Sequence, residues 1–391
     1  MTIRRELRMA ATSSRIVGYD VARAIAILGM VLVNYTSLME VDTFSPTWLK
    51  PIVYWVYGRA AVVFVMLAGI SVSMMASRSA APTATRALQK RLFIRSTLLL
   101  MAGLLLWRWW EADILHFYAL FIGVGACMAL WPHRRLLWFT ALLLLISLPV
   151  SAALTASYDL GDTLAWLDTQ NPVMRLLLDY VTSCYYPLFP WLGIFLAGMV
   201  LGRREPTNLC FWRRLCLVGL LICLMAETVS ALSTAWAENH ELEIEGNFWF
   251  AFLRSEAFPV TPMFILSAGG SGLVLIGLCR MVSSEPSRTA MGMQLLAIFG
   301  QLSLTMYVAH IAWGIFCKHW FSGAGTGMTS HQMILAMGVF DLAGLLFALG
   351  WRRYFQRGPL ETLFHRLIQG GICALAFLWD TIRTYPLRAR S

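Results

Sequence analysis

The chain has 391 residues, of which 58% are hydrophobic and 13% charged, with a mean hydropathy of +0.65. No soluble core absorbs that share of apolar side chains, so a water-soluble globular or disordered chain is excluded and a polytopic membrane protein is expected. The formal net charge of +10 would suit a nucleic-acid binder, but the basic residues sit in short segments between apolar runs, where membrane orientation accounts for them.

Residues Met1 to Arg15 are polar and basic, and the apolar run after them is long enough to span and lacks a small-residue cleavage site. It is read as a retained first span. Further apolar segments place spans at roughly 17–38, 52–77, 92–110, 114–131, 136–156, 186–202, 212–234, 257–281, 292–317 and 332–351. The expected fold is therefore all-α, a polytopic bundle of about ten transmembrane helices forming one domain over residues 1–391. A basic N-terminus (1–16) and a C-terminal tail (352–391) flank it. Arginines recur in alternate connections, at Arg4 to Arg15, Arg78 to Arg95, Arg134 and Arg135, Arg203 to Arg214, Arg280 and Arg288, and Arg352 onward, which predicts both termini in the cytoplasm. The other connections are acidic, with Glu40 and Asp42, Glu111, Asp159 and the run Glu238 to Glu245. Two of these, 157–186 and 235–258, are long enough to shape a vestibule or to be solvated connectors, the first with an interfacial helix near Pro172. Gly370 to Trp379 is apolar but too short to cross.

Depth then sorts the polar groups inside the spans, where such groups are costly unless buried in protein or used. Asp20 and Arg23, three apart on one helix face, fall at the cytoplasmic end of the first span, either as a mutual ion pair or as part of an anion site. Asn34 lies near the outer end of that span. Arg59 sits about two turns below the outer surface and needs a carboxylate, a ligand or water; Glu227 and Asp341 are the intramembrane carboxylates available. His116 lies just inside the fourth span, with Asp113 three residues earlier either orienting its imidazole or capping the helix. His310 and Tyr307 fall in the outer half of the ninth span. Asn34, Arg59, His116 and His310 thus reach similar depth from four helices. The eight cysteines show no C-x-x-C pair and read as core residues, with a Cys184–Cys317 bridge left open. No histidine or cysteine spacing points to a metal.

These residues sit in recognisable stretches. Arg15-Ile16-Val17-Gly18-Tyr19-Asp20-Val21-Ala22-Arg23, running on to Asn34, together with Gly58-Arg59-Ala60-Ala61 and Asp113-Ile114-Leu115-His116-Phe117-Tyr118, resembles transmembrane acyltransferases of the heparan-alpha-glucosaminide N-acetyltransferase-like and YeiB-like kind. So do Tyr186-Pro187-Leu188-Phe189-Pro190-Trp191, Gly300-Gln301-Leu302-Ser303 through His310, and Arg357-Gly358-Pro359-Leu360-Glu361. The chain departs from that pattern at Ala24, usually glycine, and in the loop after Asn34. There the lysosomal-type enzymes carry a catalytic histidine, and this chain has Glu40, Asp42 and Ser45.

The resemblance implies a membrane-embedded acyltransferase that takes an acyl group from cytoplasmic acyl-CoA, acetyl-CoA first, and places it on an extracytoplasmic glycan or amino sugar. With the loop histidine missing, His116 oriented by Asp113 is the expected base, and Asn34 or His310 the oxyanion donor. Arg23, Arg59, Tyr118 and Asp20 are expected to bind donor or acceptor. Acyl-CoA, the glycan acceptor and membrane lipids are the expected partners, with no nucleic acid, no metal, and a homodimer left open. The expected location is a bacterial cytoplasmic membrane. The same polar groups would also serve a proton-coupled transporter or flippase, and a catalytically silent scaffold of this fold is the third reading.

Overall fold

A computed structural model of the chain describes residues 16–41, 44–78, 82–159, 177, 180–181, 185–203, 208–283, 291–321 and 328–372. Pro172, Asp42, Cys184 and nearly all of Gly370 to Trp379 lie outside the described residues, so the expectations placed on them do too.

The described residues form helices and no strand. In chain order they are α1 (Val17–Leu38), α2 (Leu49–Val56), α3 (Arg59–Ser77), α4 (Pro82–Trp107), α5 (Leu115–Met128), α6 (His133–Asp159) and α7 (Leu188–Arg203). There follow α8 (Leu209–Asn239), α9 (Phe248–Leu253), α10 (Pro262–Val282), α11 (Met291–Gln301), α12 (Ser303–Phe321), α13 (Ser330–Arg352) and the tail helix α14 over residues 359–372. Every expected span falls on one of them or, for 52–77 and 292–317, on a consecutive pair. Among the described residues six helical segments are long and apolar enough to cross a membrane, and α11 with α12, bent by 79°, make a seventh if counted as one broken span. Of the other expected spans, α5 and α7 are shorter, with 14 and 16 residues, and α4 carries its charges between Arg86 and Arg95.

The bundle exposes what a lipid-facing surface should. Leu217, Leu221 and Leu224 on α8 and Leu335, Leu342 and Leu346 on α13 point outward, an apolar area that a soluble monomer does not show. Inside, α3 is the axis, with every residue from Ala61 to Ile70 buried. It packs against α1, α5, α7 and α10. Its seam with α7 depends on small residues: a Cβ on Gly69 would run into the Phe195 carbonyl, and one on Gly198 into the Met66 carbonyl. Helices in lipid gain no hydrophobic drive toward one another, so such close approach supplies the attraction. α4 and α5 form a second pair, with the Ser96 hydroxyl donating to the Ala119 carbonyl at 2.6 Å and the Gln89 amide to Ala126 at 3.1 Å. The end of α5 is closed by Arg203, which donates to the carbonyls of Met128 at 3.2 Å and Ala129 at 2.5 Å, groups a helix C-terminus leaves unsatisfied.

The break between α11 and α12 has its own support. The amides of Leu304 and Thr305 donate to the Glu361 carboxylate at 2.8 and 3.1 Å, and the Thr305 hydroxyl donates to its other oxygen at 2.5 Å. A carboxylate from α14 thus caps the exposed N-terminus of α12, where both the unpaired amides and the helix dipole favour negative charge. Glu361→Ala should lower the unfolding free energy by about 1–2 kcal/mol, the usual worth of a cap, read as a fall in melting temperature of the purified protein. An unchanged melting temperature would show that the tail does not hold the break.

Candidate active site

Where α1 begins, α3 ends and α12 begins, a cavity of about 380 Å³ opens between the helices. Among the described residues Arg23, Arg78 and Arg95 line it with a single carboxylate, Asp20, while Ala68, Tyr118 and Ile122 form an apolar wall. Arg23 pairs with Asp20 one turn back on α1 and donates to the Ser71 hydroxyl of α3 at 3.1 Å. Gln301, the last residue of α11, donates to the second Asp20 oxygen at 3.1 Å. Three guanidinium groups against one carboxylate leave the cavity positive, and planar guanidinium forks suit phosphate oxygens. Asp20, Arg23 and Tyr118 therefore line one cavity. Arg78 and Arg95 join them, although in the sequence they read only as orientation signals.

The opposite end of the bundle holds a smaller pocket of about 20 Å³, lined by Asn34, Ser37, Tyr57, Trp110, Tyr185, Tyr186 and Phe258, with Met30, Ala60 and Ala61 also at its walls. Its aromatic residues pack edge to face, Tyr57 and Tyr185 each on Phe258 with ring centres 5.1 and 5.2 Å apart.

α1, α3, and α5 with its approach each line both spaces, while α12 lines the arginine-lined one. On α1 the order is Arg23, then buried Ala26 and Ile27, then Met30 and Asn34; on α3 it is Ser71 and Ala68, then Phe64, then Ala61 and Ala60. Along α5 and its approach, Ala112 lines the aromatic pocket and Tyr118 the arginine-lined cavity, with Asp113 and His116 between. On α12, Ser303 lines the cavity and Tyr307 and His310 lie beyond it.

That intermediate layer holds two polar groupings. In the first, Asp113 and His116 are both fully buried, with His116 Nδ1 3.3 Å from Asp113 Oδ2. The same oxygen accepts from the Leu115 and His116 amides at 3.0 and 3.4 Å, so Asp113 caps α5 and orients the imidazole at once. Tyr307, from α12, donates its hydroxyl to Asp113 Oδ1 at 3.0 Å and accepts from the Ile114 amide at 3.2 Å. In the second, Asn34 Nδ2 lies 3.0 Å from His310 Nε2, and His310 Nδ1 lies 3.3 Å from the Met306 carbonyl. With the Asn34 amide donating, His310 carries its proton on Nδ1 and serves to aim Asn34 at the pocket. The Tyr307 and His310 rings, 5.1 Å apart, join the two groupings.

His116 itself lines neither space. The rings of Trp107, Phe117 and Tyr180 lie 5.7, 4.2 and 5.8 Å from it, and its backbone meets Gly103 of α4 so closely that no Cβ fits there. Tyr307 was seen in the sequence only as a polar residue at the right depth; its role as the hydroxyl that holds Asp113 needs the contact across helices.

Arg59 does not join this layer. Its guanidinium reaches Glu227 of α8 at 2.6 Å, Ser267 of α10 at 2.8 Å and the Trp55 carbonyl of α2 at 2.9 Å, and it lies 4.0 Å from the Trp55 ring centre. Of the two roles open to it, positioning a ligand or holding the helices together, this geometry carries the second. Of the two carboxylates available, Glu227 answers it and Asp341 does not. Arg59→Met should destabilise the protein by roughly 3 kcal/mol by leaving Glu227 uncompensated, and R59M/E227M should recover part of the loss. Equal melting temperatures for wild type and R59M would contradict this assignment.

Known sequences resemble the chain along most of its length. The pattern of the family described as heparan-alpha-glucosaminide N-acetyltransferase, catalytic, matches residues 15–218, and that of a family of proteins of unknown function, DUF418, matches residues 201–371. The chain is similar to the uncharacterized protein YeiB of Escherichia coli strain K12, 25% identical over 397 aligned positions that cover 90% of this chain and 96% of YeiB. The two matched regions interlock in space, because α1 packs against α10, α11, α12 and α13.

Proposed function

Because the chain belongs to the heparan-alpha-glucosaminide N-acetyltransferase catalytic family, we propose that it transfers an acyl group, acetyl in the first instance, from acyl-CoA to a glycan or amino-sugar acceptor on the other side of the membrane. The observation that carries this reading is the order of spaces along the bundle, with a cationic cavity at one end, an aromatic pocket at the other and Asp113–His116–Tyr307 between them. A proton-coupled transporter would use the acid–imidazole pair as a relay but gives less reason for a phosphate-suited arginine cavity at one end. The arginine-lined end is assigned to the cytoplasm of a bacterial cell, following the distribution of basic residues.

In this scheme Arg23, Arg78 and Arg95 hold the donor's phosphates, with Asp20 and Ser71 fixing the Arg23 fork. The pantetheine arm runs along Tyr118 and Ile122 toward the middle layer. Asp113 keeps the His116 proton on Nδ1, so Nε2 is the basic nitrogen. When the acceptor's hydroxyl or amine attacks the thioester carbonyl, His116 takes its proton; the C–S bond then breaks and the thiolate of CoA recovers that proton. General-base assistance of this kind contributes roughly 10²–10⁴-fold. Asn34, aimed by His310, donates to the oxygen on which charge develops. The rings around His116 must shift for it to meet the acceptor, which makes opening of the Trp107–Tyr180 side a step of the cycle.

Acetyl-CoA should raise the melting temperature of the purified protein, and R23M should weaken that binding by roughly 10–100-fold, the worth of a charged hydrogen bond. Absence of stabilisation by any acyl-CoA would contradict the donor assignment. In a transfer assay His116→Ala should abolish product while leaving donor binding intact, and Tyr307→Phe should reduce the rate with donor binding unchanged. If His310→Ala abolishes transfer and His116→Ala does not, the imidazole beside Asn34 is the base.

A further inference from the structure

The two spaces are separated, and the separation has a definite chemical identity. Phe64 lines neither of them, yet it lies on α3 one turn from Ala68 of the arginine-lined cavity and one turn from Ala60 of the aromatic pocket. It is buried, with 6% of its surface exposed. Its ring centre is 5.5 Å from that of Tyr118, which walls the cavity, and 6.4 Å from that of Tyr307, whose hydroxyl holds Asp113. On the facing helix Ala26 and Ile27 are equally buried. An aromatic stack thus fills the layer that the acyl group of the proposed reaction has to enter.

We propose that Phe64 is the specificity-determining residue for the acyl group: its ring, packed behind Tyr118 one turn beyond the apolar wall of the arginine-lined cavity, limits the donor to short acyl chains. The inference rests on the acyl-transfer reading and adds to it the class of donor. The physical reason is the close packing of protein interiors, in which a filled position does not yield several methylene groups of space without moving its neighbours. A two-carbon acyl group needs to pass only beside the ring. A chain of six or eight carbons needs the volume the ring occupies. Tyr118 already lines the cavity, and Tyr307 is committed to Asp113.

The test compares acetyl-, butyryl-, hexanoyl- and octanoyl-CoA for binding to wild type, Phe64→Ala and Phe64→Leu, with thermal stabilisation as the readout. Wild type should bind acetyl-CoA at least tenfold more tightly than octanoyl-CoA. F64A should shift the preferred chain to six or eight carbons, and F64L should fall between. Phe64→Leu keeps the layer filled and carries the test where F64A loses too much stability to measure. Phe64→Trp should sharpen the preference for acetyl-CoA. If acetyl-CoA binds the wild type but the rank order is the same in F64A, F64L and F64W, this inference alone is overturned. If no acyl-CoA stabilises any of the proteins, the acyl-transfer reading falls and takes this inference with it. CoA without an acyl group should bind all of them alike, and a change there would place Phe64 in phosphate recognition and overturn the proposal.

Discussion

A carboxylate with no exposure to solvent sets the terms for the centre of this protein. Asp113 accepts from the Leu115 and His116 amides, the His116 imidazole, and the Tyr307 hydroxyl brought from α12, the far end of the sequence. A buried charge without such partners costs several kcal/mol, so each of these donors is held in place by the need to satisfy it. The same bonds that make Asp113 tolerable start α5, orient the imidazole, and tie α5 to α12. Structural and chemical duties therefore coincide on one side chain.

The arginine-lined end is built on a related compromise. The break between α11 and α12 would leave free amides, and it is also what allows Gln301 and Ser303 to face the cavity instead of completing a continuous helix. Glu361 meets the amides from outside and Gln301 ties Asp20 from inside. At that crossing α1 and α11 come so close that only glycine fits at position 300, against the Asp20 carbonyl. Stability is thus spent on irregularity where an anion could be held, while the regular helices α8 and α13 show apolar faces to the outside.

Hydropathy alone marks the helices, because about twenty apolar residues have few other uses. Depth along a span is also legible: it puts Asn34 with His310, and the structure bonds them directly. Relations within one helix can be read from spacing, as with Asp20 and Arg23. The rest depends on how helices are rotated toward one another, which no single helix encodes. Arg59 has the same depth as Asn34 yet turns to Glu227 on α8, and Arg95, an apparent orientation signal, turns into the cavity. In the sequence Phe64 stands within the unbroken apolar run from Ala60 to Ile70. Only its position between Tyr118 and Tyr307 distinguishes it. Glu361 was part of a recognisable stretch, but its function as a cap for a helix more than fifty residues earlier appears only in three dimensions.

The central claim is that the cationic cavity holds the donor and delivers its acyl group to the layer of Asp113 and His116. An experimental structure of the full chain with acetyl-CoA tests it most directly. The account predicts phosphate density against Arg23, Arg78 and Arg95, with the thioester beyond Tyr118 and directed toward Phe64 and His116. Acetyl-CoA found in the aromatic pocket beside Asn34, or a cavity that stays empty at saturating ligand, would contradict it.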